Sequence, residues 1–199
     1  MEYMTKEDIS DIIVMHSNSY NCLSMLMNIC CQERRIEKVE DFAELLGENY
    51  STCDNLYNDR WLVRIAFTYA SLCKEKLMTT EELEILKNLP DKVKIYRGMT
   101  VEESTKEHRD VSWTLDKKVA EFFAYQYIRN PSTADKPKTV VEKVIDKSEI
   151  IAVFWGRGEQ EIIYMGTNED GVDTDEDDNL EAEEKWMNCR DDWEMGLLG

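Results

Sequence analysis

The chain has 199 residues, 42% of them apolar, with five Trp and nine Tyr, and a formal charge of −18. This suffices for one substantial domain with a real core and is too apolar for a disordered chain. No basic patch stands out, which excludes a nucleic-acid surface built on phosphate neutralisation, and no apolar run approaches the length of a membrane span.

Residues 1–90 read as a helical lobe. Thr5 and Asp8 stand in the register of a capping box, and Ile9, Ile12, Ile13, Tyr20, Leu23 and Met27 follow at helical spacing. "EKVEDFAELLG" sets Val39, Phe42, Ala43 and Leu46 on one stripe, with Gly47 expected just past the helix end. "DRWLVRIAFTYASLC" is apolar almost all round, as a helix buried on most sides would be. "TTEELEILKNLP" has Thr79 and Glu82 in capping-box register and is expected to stop before Pro90.

Residues 91–168 change character. "KVKIYRG" reads as a strand ending at Gly98, where glycine permits a close backbone turn. "DVSWTLDKKVAEFFAYQYI" reads as a short strand, a turn and a helix opened by Thr114 or Asp116. After a loop over 131–137, "KTVVEKVI", "IIAVFW" and "EQEIIYM" are β-branched and aromatic, hence strands. Trp113, Tyr96 and Trp155 are expected in the core, and Phe122 and Phe123 as packing for the helix. The tail, 169–199, carries thirteen Asp and Glu against Lys185 and Arg190. Residues 166–184 read as a solvated acidic segment with little to bury, and "KWMNCRDDWEMGLLG" after them has enough Trp, Met and Leu to dock against the fold. Within the acidic segment, "DTDEDDNLEAEE" approximates a calcium loop but has Asp178 where the sharp turn wants glycine.

Six cysteines form no CxxC pair, and His16 and His108 are the only histidines, so no metal site is expected. The opening "MEYMTKEDIS" has no signal-peptide pattern. Reduced thiols and a cytoplasmic location are the resulting expectation. "GRGEQE" lacks the third glycine of a dinucleotide fingerprint and runs into a strand.

The chemistry-bearing residues sit in three places. Glu159 and Glu161, read as positions i and i+2 of one strand, would project from the same face about 6.6 Å apart. Alone, such a pair reads as a solvated edge. Upstream lie Arg97 at the end of "KIYRG", and Ser112 and Thr114 flanking Trp113 in "SWT". Singly, these residues also suit a surface ion pair and a plain strand.

In that order, the three motifs resemble the arginine–serine–glutamate family of mono-ADP-ribosyltransferases, and in particular the small ADP-ribosyltransferases of tailed bacteriophages. The resemblance covers residues 94–164. It implies an α+β fold, with a helical N-terminal lobe packed on a small mixed or antiparallel β core, and an ADP-ribosyltransferase domain over 1–168. It also implies NAD+ as substrate, with ADP-ribose transferred to a side chain of a protein acceptor, arginine before others.

By the same resemblance, Glu161 stabilises the oxocarbenium-like transition state, Glu159 presents the acceptor, and Ser112 holds Glu161. Arg97 meets the NAD+ phosphates, while Gly98 and Thr114 belong to the cofactor-binding motifs and Phe123 lines the nicotinamide side. The physics suits these roles. A carboxylate opposes positive charge at the ribose, and a guanidinium fork fits phosphate oxygens. The same site would support NAD+ hydrolysis by water, and the acidic tail alone would suit a non-catalytic binding protein. Members of the family usually continue past Glu-X-Glu with another strand, which the acidic residues 166–184 are unfit to supply.

Overall fold

The computed structural model describes residues 3–54, 60–105, 111–127, 133–156 and 158–166. The acidic tail, the calcium-like segment at 173–184, His108 and Cys189 lie outside the described residues. Among the described residues, no helix is long and apolar enough to cross a membrane. The fold is α+β. It divides into two compact units, one ending at Leu77 and one beginning at Met78.

The first unit is helical. Helix α1 (Lys6–His16) starts at a complete capping box, with Thr5 and Asp8 each holding the other's backbone N–H. It ends earlier than the apolar spacing predicts, and α2 (Cys22–Met27) begins afresh, running into a π-helical turn at Asn28–Gln32. The break has a local cause. The Asn21 side chain accepts from Asn18 N, and the Asn18 side chain accepts from Tyr20 N, so the two asparagines stabilise a turn in place of another helical turn. Tyr20, expected on the buried stripe, is 71% exposed as a result.

Helix α3 (Val39–Tyr50) buries Phe42, Ala43 and Leu46 as expected. Gly47, however, lies inside it and not beyond its end. A Cβ there would stand 2.1 Å from the Leu77 carbonyl oxygen, so the glycine lets the 3₁₀ segment Ser71–Leu77 cross the helix at backbone distance. Helix α4 (Arg60–Ala70) is buried along Leu62, Val63, Ala66, Phe67 and Tyr69, and Phe67 meets Tyr50 edge-on at 4.8 Å. Cys22, Cys30, Cys31, Cys53 and Cys73 are buried.

An ion network joins three elements of this unit. Glu44 on α3 bonds Lys6 on α1 at 2.7 Å and Lys76 at 2.9 Å. Hydrogen bonds from Lys6 and then Lys76 hold the Glu44 carboxyl below its ordinary value. A carboxylate lowered in the folded state stabilises above its unfolded pKa and loses that contribution as acid protonates it. Glu44→Gln is therefore expected to be less stable than wild type at pH 7. The two proteins should converge as pH falls below about 4. Urea midpoints measured across this range check it, and a gap that persists or widens in acid would contradict the network's role.

The second unit holds a five-stranded antiparallel sheet in the order β3 (Lys138–Asp146), β1 (Lys92–Thr100), β2 (Ser112–Thr114), β5 (Glu161–Ile163) and β4 (Ala152–Phe154). The unit also holds the helices α5 (Thr80–Asn88), α6 (Val101–Ser104) and α7 (Lys117–Tyr125). Strand β1 does not end at Gly98. It runs on to Thr100, paired with β3 throughout. A Cβ on Gly98 would sit 2.2 Å from Ala120 O and 2.7 Å from Ala124 N, so this glycine seats α7 against the strand and makes no turn.

Trp113 is buried, as expected, and meets Tyr164 edge-on. Tyr96 and Trp155, expected in the core, are half-buried. Phe122 is 43% exposed, so it does not serve as helix packing in full. It stacks on Tyr127, and both rings touch Phe123. Among the described residues, the outer edge of β4 meets the start of α5; the C-terminal residues after 166 lie outside them. Val153 N donates to Met78 Sδ at 3.3 Å, and Trp155 N donates to a Glu82 carboxylate oxygen at 2.9 Å.

Candidate functional site

Three adjacent strands carry the residues singled out by sequence. Arg97 lies on β1, Ser112 and Thr114 on β2, and Glu161 opens β5. Register fixes their relations. Tyr96 faces Thr114 across β1 and β2, and Thr114 faces Glu161 across β2 and β5. Opposed residues share a face of the sheet, and so do residues two apart. Ser112, Thr114 and Glu161 thus lie on one face, with Gly98 and the helix α7 that it seats.

Ser112 is the hinge of the set. Its hydroxyl donates to Glu161 Oε1 at 2.5 Å, which fixes the carboxylate's rotamer. Its carbonyl accepts from the Arg97 guanidinium. The backbone explains how that carbonyl comes to be offered. Tyr164 N donates to Val111 O, and Leu115 N donates to Gln160 O. The odd-numbered residues of β2 therefore turn their polar groups to β5, and Ser112 turns its own toward β1. Alternation gives the Arg97 Cβ to the opposite face from Ser112. The long side chain spans the difference to reach a group in the sheet plane. Arg97, Ser112 and Glu161 are all partly buried.

The carboxylate pair is arranged differently from the sequence expectation. Glu159 and Glu161 are not positions i and i+2 of one strand, because β5 begins at Glu161 and Gln160 has φ +49°. A left-handed residue breaks the two-residue alternation on which a shared face depends. Glu159 instead belongs to a turn after β4, in which Gly158 has φ +70° and donates to Trp155 O at 3.0 Å. A non-glycine residue held in this region is backbone strain of the kind that clusters at functional sites.

Thr114, buried, latches that turn. Its hydroxyl donates to Glu159 O at 2.6 Å and accepts from Asp116 N at 3.1 Å. Asp116, one of the two expected helix openers, caps α7 by accepting from Lys118 N. Phe123 is half-buried on α7 among Phe122 and Tyr127. The residue that sequence reasoning missed is Glu82. It was legible as a helix cap, but nothing local reveals that its second oxygen reaches Trp155, seventy-three positions away.

The site thus offers a fixed carboxylate, a hydroxyl that orients it, a neighbouring cation and a second carboxylate on a strained turn. Such a set can stabilise positive charge and bind an anionic substrate at close quarters. No protein-family model, no curated protein and no solved structure matches this chain.

Proposed function

We propose that the protein is an NAD+-dependent mono-ADP-ribosyltransferase of the arginine–serine–glutamate type, transferring ADP-ribose to a protein side chain, arginine before others. The observation that carries this reading is the chain of bonds from Arg97 through Ser112 to Glu161 across three neighbouring strands. That residues far apart in sequence are joined by these bonds supports the reading. The small antiparallel sheet with α7 on the face of Glu161 is taken as the ADP-ribosyltransferase core. The cytoplasm is the proposed location, that of the host if the gene is phage-borne.

In this reading Arg97 meets the phosphates of NAD+, while Gly98 seats α7 and Thr114 holds the turn of Glu159, so both support the cofactor site from behind. Phe123 lines the nicotinamide side. Glu161 opposes the charge that grows on the ribose as the bond to nicotinamide lengthens. Nicotinamide leaves as a neutral molecule, so no strong general acid is needed. Glu159 binds and orients the guanidinium of the acceptor and assists loss of its proton.

The test is incubation with NAD+ labelled in its adenylate half, together with candidate acceptor proteins, followed by intact-mass measurement. A gain of one ADP-ribose on an acceptor supports transfer. Free ADP-ribose alone assigns the site to NAD+ hydrolysis, and no release of nicotinamide refutes the reading. Ser112→Ala is expected to lower the rate of nicotinamide release about 10- to 100-fold, the cost of losing one partly buried hydrogen bond to a charged group. Its KM for NAD+ should stay within about threefold, because the orienting bond acts on Glu161 and not on the phosphates.

A further inference from the structure

We infer that Glu82 is a positioning residue for the acceptor end of this site: from the start of α5 it anchors the turn that carries Glu159. The inference rests on the ADP-ribosyltransferase reading. It begins from an unusual division of labour in one buried carboxylate. In a capping box the glutamate reaches back to the N-cap backbone, and Glu82 Oε2 does so, accepting from Thr79 N and Thr79 Oγ1 at 2.9 Å each. Its other oxygen, Oε1, accepts from Trp155 N at 2.9 Å. Glu82 is only 9% exposed, so water does not readily replace a broken bond there.

Further bonds hold the described residues that follow Trp155 toward the site. Trp155 O accepts from Gly158 N, Glu159 O from Thr114 Oγ1, Gln160 O from Leu115 N, and Glu161 Oε1 from Ser112 Oγ. The two carboxylates are held unequally along this line. Glu161 is inside the sheet, paired with Thr114 on one side and Phe154 on the other. Glu159 is held through Thr114 at one end and through Trp155 and Glu82 at the other. Gly158 lies between these anchors and Gln160 directly follows Glu159, and both have left-handed backbone. At Gln160, a non-glycine residue, such backbone persists only while its surroundings enforce it. Release of the Glu82 anchor should therefore loosen Glu159 and leave Glu161 in place. Transfer to a guanidine would fall while cleavage of NAD+ by water continued.

The experiment compares full-length wild type, Glu82→Gln and Thr79→Val. Glutamine still serves a capping box, but its amide then meets the Trp155 N–H donor to donor. Valine weakens the same helix cap and leaves the carboxylate on Trp155. NAD+ consumption with agmatine as the guanidine probe is divided into agmatine adduct and free ADP-ribose, and amide exchange is followed over 155–160. For Glu82→Gln the adduct-to-hydrolysis ratio is expected to fall about tenfold, with hydrolysis kept within about threefold. Exchange in the turn should rise in that variant only. An unchanged ratio in Glu82→Gln, an equal shift in Thr79→Val, or unaltered turn exchange would overturn the assignment. A wild type that releases no nicotinamide would overturn the enzymatic reading and the acceptor role with it. That differs from failure of the anchor alone, in which wild type is active and Glu82→Gln keeps its ratio.

Discussion

Glu161→Gln is expected to lower NAD+ cleavage about a thousandfold while leaving the fold intact. The amide has nearly the shape of the carboxylate, and its oxygen can still accept the Ser112 hydroxyl that now bonds Oε1. The backbone pairs of residue 161 with Thr114 and Phe154 do not depend on the side chain's charge. What the substitution removes is one negative charge at the place where positive charge would develop. Loss of a single preorganised dipole in an enzyme site costs about 10²–10³ in rate, so a full charge belongs at the upper end of that range. The measurement is initial-rate nicotinamide release, with thermal unfolding as the control for structure. Activity within about tenfold of wild type, in a variant that melts normally, would remove Glu161 from the chemistry and leave Ser112 with no carboxylate to serve.

Parts of this arrangement are legible in sequence because their physics is local. Thr5 with Asp8, and Thr79 with Glu82, announce helix starts three residues ahead, and both boxes form. Trp113 between two hydroxyl residues alternates as a strand should, and it is buried. The misreadings share a different cause. Gly47 and Gly98 look like punctuation, yet each is a close approach to a backbone distant in sequence, which no local pattern encodes. The shared face expected of Glu159 and Glu161 assumed unbroken alternation, and Gln160 carries no residue-type signal for a left-handed conformation. The strand order has the same character. β3 crosses over to pair with β1, and Glu161 meets Ser112 only because β5 enters between β2 and β4. Local sequence therefore marks the chemistry-bearing side chains, while their spacing in the fold comes from long-range pairing.

The close approach at Gly98 leads to the largest effect expected on stability. Gly98→Ala adds one methyl group, and in most strands that would be neutral or mildly favourable, because glycine is a poor strand former. Here the added carbon would stand 2.2 Å from Ala120 O and 2.7 Å from Ala124 N. Both atoms belong to the backbone of α7, so no side chain can rotate to make room, and the helix itself must move. Overpacking of this kind costs about 1–3 kcal/mol where side chains yield, and a clash with fixed backbone warrants about 3 kcal/mol or more. Gly156→Ala provides the comparison, since its added carbon would meet nothing within 4 Å. That variant is expected within about 0.5 kcal/mol of wild type. Denaturant midpoints for the two alanine variants check the contrast. Since α7 lies on the same face as Glu161, its displacement in Gly98→Ala should also reach the site and lower NAD+ turnover in whatever fraction remains folded. Equal midpoints for the two variants would mean that the helix does not sit on β1 at backbone distance, and the face assigned to Ser112 and Glu161 would lose its covering layer.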